Sequence, residues 1–247
     1  MESGKAPVII LVRPQLGENI GAAARAMMNC GLSELRLVAP RDGWPNPAAL
    51  PMAAGGAPII KNARVFHSIA EAAHDLTFLA ALSARRRDMP IRTTAPRDVM
   101  AELLPHGGQG GLMFGPEASG LDNDDVVRAD CLVTADLNPD YPSLNLAQAV
   151  LLMAWEWRVA ASGGDDGAAV MQPHAETATV QERERFHERL ENELDAGGFF
   201  ISPEMAPAVK RNLRALFARA APTSQEISTL HGVIQALTKI RDRSKSG

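Results

Sequence analysis

Short, mostly apolar runs recur through the first 135 residues and constrain the fold more than any other feature of the chain. They lie at residues 8–12, 35–38, 63–66, 76–82, 111–114 and 131–135. The first run is apolar at every position rather than at every second one, which is typical of a strand covered on both faces. Stretches of helical character separate the runs. This alternation predicts an α/β fold with a mostly parallel sheet and helices on both faces.

Capping residues set the expected limits of the helices. Asn19 is a good N-cap and Gly31 a good C-terminal residue for an Ala-rich helix between them. Further helices are expected at residues 68–74, 96–104 and 123–127. Residues 41–58 are rich in Pro, Gly and Ala and predict a loop that holds at most one helical turn.

The C-terminal part of the chain is predicted to be a separate helical unit. Residues 163–178 are rich in Gly and polar residues, which indicates a flexible linker between a domain at 1–162 and an all-α extension at 179–247. Three amphipathic helices follow, and capping signals open the second at Ser202 and the third at Thr223. Because their apolar faces are too large to leave in water, the extension should pack on the main domain or on a second subunit.

The composition argues against several classes of protein. The chain has no run of 18 or more uncharged apolar residues, so we expect no membrane span, and its first residues lack the pattern of a signal peptide. Two distant cysteines and six scattered histidines predict neither disulfides nor a metal site, and they favour a reducing, cytoplasmic location. The net charge of −4 argues weakly against a polyanionic partner, although Arg85, Arg86 and Arg87 form a local basic cluster.

Residues 140–150 place a polar loop at the start of an apolar helix. Pro139 and Pro142 discourage helix in the first half of this stretch. Ser143 is then the expected N-cap of a helix over residues 144–159, which is apolar on most faces and is predicted to be buried. Taken alone, the stretch favours a capped core helix over a ligand site.

Three polar segments directly follow predicted strands. They are Ser83-Ala84, Gly115–Leu121 and Leu137–Asn145. Because the carboxyl ends of parallel strands meet at one edge of a sheet, and ligands of such sheets bind there, the three segments are expected to form one site.

Three sequence motifs carry further information, and two of them overlap the second and third of these segments. They are Asn19-x5-Arg25, Phe114-Gly115-Pro116-Glu117-x-x-Gly120-Leu121 and Tyr141-Pro142-Ser143-Leu144-Asn145-Leu146-Ala147. The ordered set closely resembles the motifs of the SpoU/TrmH family of RNA 2′-O-methyltransferases, in the SPOUT superfamily, over roughly residues 7–160. In the extension, segments at 202–204, 213–220 and 226–232 resemble the TrmJ branch of that family.

The resemblance implies a fold, a reaction and partners that the residue patterns alone do not give. It implies a C-terminal trefoil knot, S-adenosylmethionine as methyl donor, and an obligate homodimer. It also implies tRNA as substrate, with methylation of the ribose of nucleotide 32 in the anticodon loop.

The same resemblance assigns five catalytic residues: Arg25, Asn19, Glu117, Ser143 and Asn145. Methyl transfer needs a ribose 2′-hydroxyl that is positioned or deprotonated. A guanidinium has donors and no acceptor, so Arg25 is expected to clamp phosphate and orient the hydroxyl rather than to act as a base by itself. Without the motifs, Arg25 would be an ordinary surface residue, and Asn19 and Glu117 ordinary helix-start residues.

The resemblance also supplies candidate binding residues. Cofactor contacts, mostly through the backbone, are expected from Leu82, Ser83, Ala84, Gly115, Ala135, Pro142, Ser143 and Leu144. Pro142 stands where relatives often have Ser, so a direct cofactor hydrogen bond from this position is doubtful. RNA contacts are expected from Arg85, Arg86, Arg87 and Tyr141, the one tyrosine of the chain.

Other functions remain open on the sequence. A ribosomal RNA substrate keeps the same enzyme class, and the helical extension argues only weakly for tRNA. A catalytically silent RNA-binding module is disfavoured because Arg25, Glu117, Ser143 and Asn145 are all retained. A Rossmann dehydrogenase is disfavoured because no GxGxxG follows the first strand.

Overall fold

The computed structural model describes residues 6–83, 89–162 and 177–245, and side chains up to residue 238. Its strands are β1 (Val8–Val12), β2 (Leu35–Val38), β3 (Arg64–Phe66), β4 (Phe78–Leu82), β5 (Thr93–Thr94), β6 (Gly110–Phe114) and β7 (Cys131–Val133). Its α-helices are α1 (Gly17–Cys30), α2 (Ala49–Ala53), α3 (Ala57–Asn62), α4 (Ile69–Ala72), α5 (Asp98–Leu103), α6 (Asn123–Val126), α7 (Leu146–Ala161), α8 (Val180–Ala196), α9 (Ala206–Ala220) and α10 (Ser224–Lys245).

The strands form one sheet in the order β3-β2-β1-β6-β4-β7-β5. Each neighbouring pair of these strands is parallel. Along β1 the side chains of Ile9 and Leu11 enter one apolar cluster with α1 and α7, and those of Val8, Ile10 and Val12 enter a second cluster on the other face. The predicted α/β architecture, a parallel sheet covered on both faces, is confirmed.

Two regions carry more regular structure than predicted. Residues 41–58, expected to be mainly loop, contain α2, a 3-10 turn at Ala54–Gly56 and the start of α3. Thr93–Thr94, in an expected basic loop, forms the edge strand β5 beside β7. Short helices of Ala, Gly and Pro have weak intrinsic signals, and packing against α1 stabilises those of the first region.

The predicted N-cap of α1 is wrong, whereas its predicted end is confirmed. The helix begins at Gly17, so Asn19 lies inside its first turn, and the Asn19 side chain donates to Glu117 instead of capping the helix. Gly31 follows the last residue with a φ of +83°, in the left-handed region that favours glycine.

The predicted cap of α7 is also wrong. Asn145, not Ser143, caps this helix: its Oδ1 accepts from the Ala147 amide at 2.9 Å, and its own amide donates to Gln148 Oε1 at 2.9 Å. The reciprocal pair satisfies two backbone donors, which a serine two residues earlier does not do. The expectation of a helix buried all round is wrong for the single chain.

One apolar face of α7 is open to solvent. Leu151, Trp155 and Val159 are 43%, 58% and 42% exposed, whereas Val150 and Met153 are fully buried. The three exposed positions follow helical spacing and therefore form one stripe.

The extension packs on the sheet domain, the first of the two arrangements predicted. Val180 is buried in the second apolar cluster, and its amide donates to the Leu76 carbonyl at 2.9 Å. Arg183 forms a buried ion pair with Asp130, whose carboxylate also accepts from the Leu79 amide at 2.7 Å. Because Asp130 directly precedes β7 and its carboxylate binds β4, α8 is fixed to two strands that lead to the carboxyl edge of the sheet.

Candidate active site

The three polar segments predicted to meet do so at the carboxyl edge of the sheet. They enclose a cavity of about 300 Å³, a volume within the range of small-molecule sites. Seven of the eight predicted cofactor residues line it: Leu82, Ser83, Gly115, Ala135, Pro142, Ser143 and Leu144. The eighth, Ala84, lies outside the described residues, as do Arg85, Arg86 and Arg87.

The segment after β6 folds back tightly on itself at this cavity. The Gly120 amide donates to the Pro116 carbonyl at 2.8 Å, and Gly120 has a φ of +67°. A Cβ atom at Gly115 would lie 2.1 Å from the Leu121 amide nitrogen, so any other residue would force this turn open. The glycines of the second motif therefore shape the wall of the cavity.

A chain of side-chain hydrogen bonds joins the three motifs. Asn19 Nδ2 donates to Glu117 Oε1 at 2.7 Å, and Asn19 Oδ1 accepts from Asn145 Nδ2 at 3.1 Å. The carboxylate can only accept, which fixes the orientation of the Asn19 amide and then of the Asn145 amide. Glu117 also lines the cavity, so it connects the cavity wall to this polar chain.

The loop after β1 holds the Glu117 carboxylate from the other side. The amides of Gln15 and Leu16 donate to its two oxygens at 2.8 and 3.3 Å. With Asn19, three donors from one short segment surround the carboxylate. Glu117 therefore acts as a fixed acceptor at the start of α1, where the helix dipole also favours negative charge.

Arg13 is a site-shaping residue that the sequence did not indicate. It has a φ of +48°, and its guanidinium donates to Asp125 Oδ1 and Asp122 Oδ2, each at 3.1 Å. The hydrogen bond to Asp125 raises the pKa of Arg13 above its usual value. This pair ties the loop that binds Glu117 to α6, the helix after the second motif. The contact joins residues 112 apart in the chain, and we find no local pattern that predicts it.

Ser143 and Tyr141 lie on the loop between β7 and α7. Ser143 lines the cavity, two residues before the Asn145 cap. Among the described residues, the Ser143 hydroxyl has no hydrogen-bond partner, so it is available to a ligand. Tyr141 is 75% exposed, so its ring is open to a stacking partner.

Arg25 lies apart from this group. It is exposed on α1, does not line the cavity, and has no ion-pair or hydrogen-bond partner within the described part of the chain. It is six positions after Asn19, which is about 9 Å along a helix and roughly 240° around it. The 3-10 turn packs closely against its backbone, because a Cβ at Gly56 would lie 2.9 Å from the Arg25 amide nitrogen. Within a single chain, four of the five predicted catalytic residues therefore lie together, and Arg25 lies apart from them.

The described residues contain no other constellation that indicates a reaction. No group of three or more His, Cys, Asp or Glu among them is placed to hold a metal ion. Burial raises the pKa of the Cys131 thiol to about 12, so this cysteine is not a nucleophile at neutral pH. Within the described ranges, every helix is too short or too polar to cross a membrane.

Known proteins resemble both parts of the chain. Residues 6–155 match the SpoU rRNA Methylase family, and residues 181–246 match the C-terminal domain of the tRNA methyltransferase TrmJ. The tRNA (cytidine/uridine-2′-O-)-methyltransferase TrmJ of Klebsiella pneumoniae is 36% identical over 93% of this chain and 95% of its own length.

Solved structures agree with these sequence relationships. The crystal structure of TrmJ from Z. mobilis ZM4 superposes with a TM-score of 0.85 at 44% identity, covering 94% of this chain and 99% of that one. The SpoU methyltransferase AviRb from Streptomyces viridochromogenes, crystallised with AdoMet, has a TM-score of 0.54 at 17% identity. That comparison covers 66% of this chain and 60% of AviRb, and it supports the fold alone.

Proposed function

The chain belongs to the SpoU methylase family and is an RNA 2′-O-methyltransferase, and from this premise we propose that it methylates the ribose of nucleotide 32 in tRNA. The observation that carries the tRNA assignment is the extension, which matches the TrmJ C-terminal domain over residues 181–246. The extension is also tied by a buried ion pair to the strands that lead to the cavity. Nucleotide 32 rests on the resemblance to the TrmJ branch.

We propose S-adenosylmethionine as the methyl donor. The cavity suits it, because apolar walls from Leu82, Phe114 and Leu152 stand beside polar groups from Ser83 and Ser143. Such a mixture fits a flat, apolar base joined to a polar ribose and an amino acid. The residues that would hold it are Leu82, Ser83, Gly115, Ala135, Pro142, Ser143 and Leu144, with Ala84 as a further prediction. When bound, the cofactor supplies a methyl group on a positively charged sulfur.

The chain's own residues would place the ribose hydroxyl for attack. Asn145 is committed to capping α7 and to Asn19, so it serves as a fixed support rather than as a proton acceptor. The Ser143 hydroxyl has no such commitment within the described residues, so it is the group that accepts from or donates to the ribose. The hydrogen bonds of Glu117 and Asn19 hold the loop after β6 at a fixed distance from the start of α1, and the bond between Asn19 and Asn145 does the same for the loop that carries Ser143.

We assign Arg25 to the substrate phosphate. A guanidinium has five donors and no acceptor, and its planar fork matches phosphate oxygens. The lack of an acidic partner within the described residues leaves the Arg25 charge unneutralised. If Arg25 clamps the phosphate next to the target ribose, the position of that ribose is fixed. The 2′-hydroxyl is then held in one direction. Tyr141 would stack on a base of the same loop.

We further propose a homodimer that covers the exposed stripe of α7. The stripe is Leu151, Trp155 and Val159, and α1, which packs on α7, carries Met28 with 41% exposure. Exposed apolar side chains on two helices that pack together suit a self-complementary contact, and the proposed interface includes both helices. Arg25 lies one helical turn before Met28, so the proposed interface would bring a second subunit close to Arg25. The trefoil knot and a cytoplasmic location remain predictions of the same family relationship.

Mass spectrometry of ribose methylation tests the function directly. Total tRNA and ribosomal RNA would be compared from cells with and without the gene. The expected result is loss of the 2′-O-methyl group at tRNA nucleotide 32 and an unchanged ribosomal RNA. Loss from ribosomal RNA with intact tRNA would instead establish the alternative substrate, and no change in either would leave the silent RNA-binding module.

A further inference from the structure

A second recess lies between the extension and the edge of the sheet. Two cavities of about 600 and 590 Å³ share Arg219, near the C-terminal end of α9. The first is lined by Met89, Pro90, Asn212 and Arg219, and the second continues past Arg92 towards His106. We call these two neighbouring cavities together the α9 groove. None of the residues that line it lines the cavity proposed for the cofactor.

The charges of α9 are distributed unequally. Lys210 and Arg214 pair with Glu191, Arg214 also pairs with Glu184, and Arg211 pairs with Asp124. Arg219 is the exception: it donates to the Pro90 carbonyl, and no carboxylate of the described residues pairs with it. A peptide carbonyl does not neutralise a guanidinium. The positive charge of α9 is therefore left open at the groove and nowhere else along that helix within the described chain.

The two acidic groups that line the groove in the described part of the chain are already neutralised. Glu102 binds Arg92 through two hydrogen bonds of 2.8 and 2.5 Å, and Asp130 is paired with Arg183. Asn212 is exposed and has no hydrogen-bond partner among the described residues, so its amide is free to donate. Among the described residues, the groove thus presents one net cation and one free amide donor, with no unpaired acid to repel an anion.

The floor of the groove is attached to the strand that leads to the cofactor cavity. The Leu132 amide donates to the Arg92 carbonyl at 2.8 Å, and β5 continues that pairing along β7. Met89 of the groove is six positions after Ser83 of the cavity, so these two residues are at most about 20 Å apart. A single RNA stem-loop can touch both.

We propose that the α9 groove binds the phosphate backbone of the substrate RNA, with Arg219 as the phosphate ligand and Asn212 as a second donor. The inference rests on the proposed function and names the part of the extension that contacts tRNA. Arginine and asparagine side chains commonly bind the phosphates of nucleic acids, and such contacts do not depend on the base sequence. Such a contact would orient the anticodon stem while the loop enters the active site.

The first test is Arg219→Gln, with Arg185→Gln as its control. Arg185 is an exposed arginine on α8 of the same extension and does not line the groove. Arg219→Gln should weaken tRNA binding about tenfold and reduce the slope of log affinity against log salt by about one unit. Turnover at saturating tRNA and affinity for S-adenosylhomocysteine should stay at wild-type values, and Arg185→Gln should match wild type throughout.

A second variant separates charge from structure, because Arg219 also holds Pro90. Asn212→Lys replaces the proposed amide donor with a cationic donor and breaks no hydrogen bond within the described residues, so it should tighten tRNA binding and steepen the salt dependence. Loss of binding in Arg219→Gln without any gain in Asn212→Lys would mean that Arg219 acts through Pro90, and the proposal would be wrong. Variants that all bind like wild type would overturn it as well. A wild-type enzyme that binds no tRNA would instead refute the proposed function.

Discussion

Asn19 and Asn145 lie 126 residues apart in the chain, and their side chains share a hydrogen bond of 3.1 Å. Each asparagine has a second fixed partner: Asn19 donates to Glu117, and Asn145 accepts from the Ala147 amide. The donor and acceptor ends of both side-chain amides are therefore determined. Their hydrogen bonds hold the start of α1, the loop after β6 and the start of α7 in fixed relative positions. Breaking one link should disturb the other two.

The direction of these bonds predicts a rescue by charge exchange. Asn19→Asp removes the donor to Glu117 and places two carboxylates together, so turnover should fall about a hundredfold or more. Adding Glu117→Gln supplies a donor on the other side and should recover part of that loss. Methylation rates of both single variants and of the double variant would be measured at saturating substrates. A double variant that is as poor as the product of the two single losses would contradict the proposed pairing.

Arg13 and Asp125 form a second tie between the first two loops, and its loss should reduce stability. The Asp125 side chain is 7% exposed, so Arg13→Gln leaves a mostly buried carboxylate without its cation. Because Arg13 itself is 42% exposed, solvent screens the pair, and the expected cost is about 1–2 kcal/mol. Urea unfolding would measure it. Arg64→Gln, which breaks an exposed pair with Glu34, is the control and should cost less than about 1 kcal/mol.

The parts of the molecule that sequence predicted well are those set by local pattern. The apolar run Val8–Val12 determines a strand with two buried faces, and Gly31 ends its helix because the required φ is left-handed. The misassigned caps show the opposite case. Asn19 and Ser143 are both acceptable caps on local sequence alone. However, the Asn19 side chain binds Glu117, which is 98 residues away in the chain, and Asn145 takes the capping position of α7. Local preference cannot decide between partners that only the fold brings close.

The placement of the site followed the same division. The convergence of Ser83, Gly115 and Ser143 was predictable, because parallel strands share a carboxyl edge. The Arg13–Asp125 tie was not, since neither residue has a distinctive neighbour in sequence. The sequence predicted that the apolar face of α7 is buried in the core of its own domain. An apolar pattern predicts that a face is covered, but it does not indicate whether the same chain or a second chain covers it.

A charge placed on the exposed stripe of α7 should separate the proposed dimer. Trp155→Glu puts a carboxylate at the most exposed apolar position of the stripe, where association would bury it without a partner. Sedimentation should show a dimer for wild type and a monomer for the variant. Val65→Glu on the edge strand β3 is the control, because Val65 is 47% exposed and β3 is three strands away from β6, which α7 contacts. This variant should remain dimeric. A fully dimeric Trp155→Glu would place the interface elsewhere.

The lowered pKa of His187 should make the folded protein less stable in mild acid. Burial, with help from the nearby Arg214, lowers the pKa of His187 to about 4; Glu184 opposes this shift, and Arg183 and Arg128 add to it slightly. Below pH 6.5 the unfolded chain binds a proton that the folded chain does not, so stability falls as the pH drops from about 6.5 to about 4. Between pH 7.5 and pH 5 this amounts to about 2 kcal/mol.

Unfolding at the two pH values, at one protein concentration, would test this effect. His187→Gln should remove most of the difference, whereas His67→Gln, at an exposed position, should retain it. An acid sensitivity that is the same in wild type and His187→Gln would assign the effect to other groups.

The last prediction concerns Arg25, which the fold leaves outside the polar chain of the active site. If it clamps the phosphate next to the target ribose, Arg25→Ala should reduce turnover about a hundredfold or more, because the hydroxyl loses its alignment. Affinity for S-adenosylhomocysteine should be unchanged, since Arg25 does not line the cavity. Arg25→Lys keeps the charge but loses the planar fork and should also be poor. A residue that merely attracts RNA would behave differently: tRNA binding would weaken and its salt dependence flatten, with turnover at saturation preserved. Single-turnover methylation at saturating tRNA distinguishes the two, and near-normal rates in Arg25→Ala would return Arg25 to the role of a surface cation on α1.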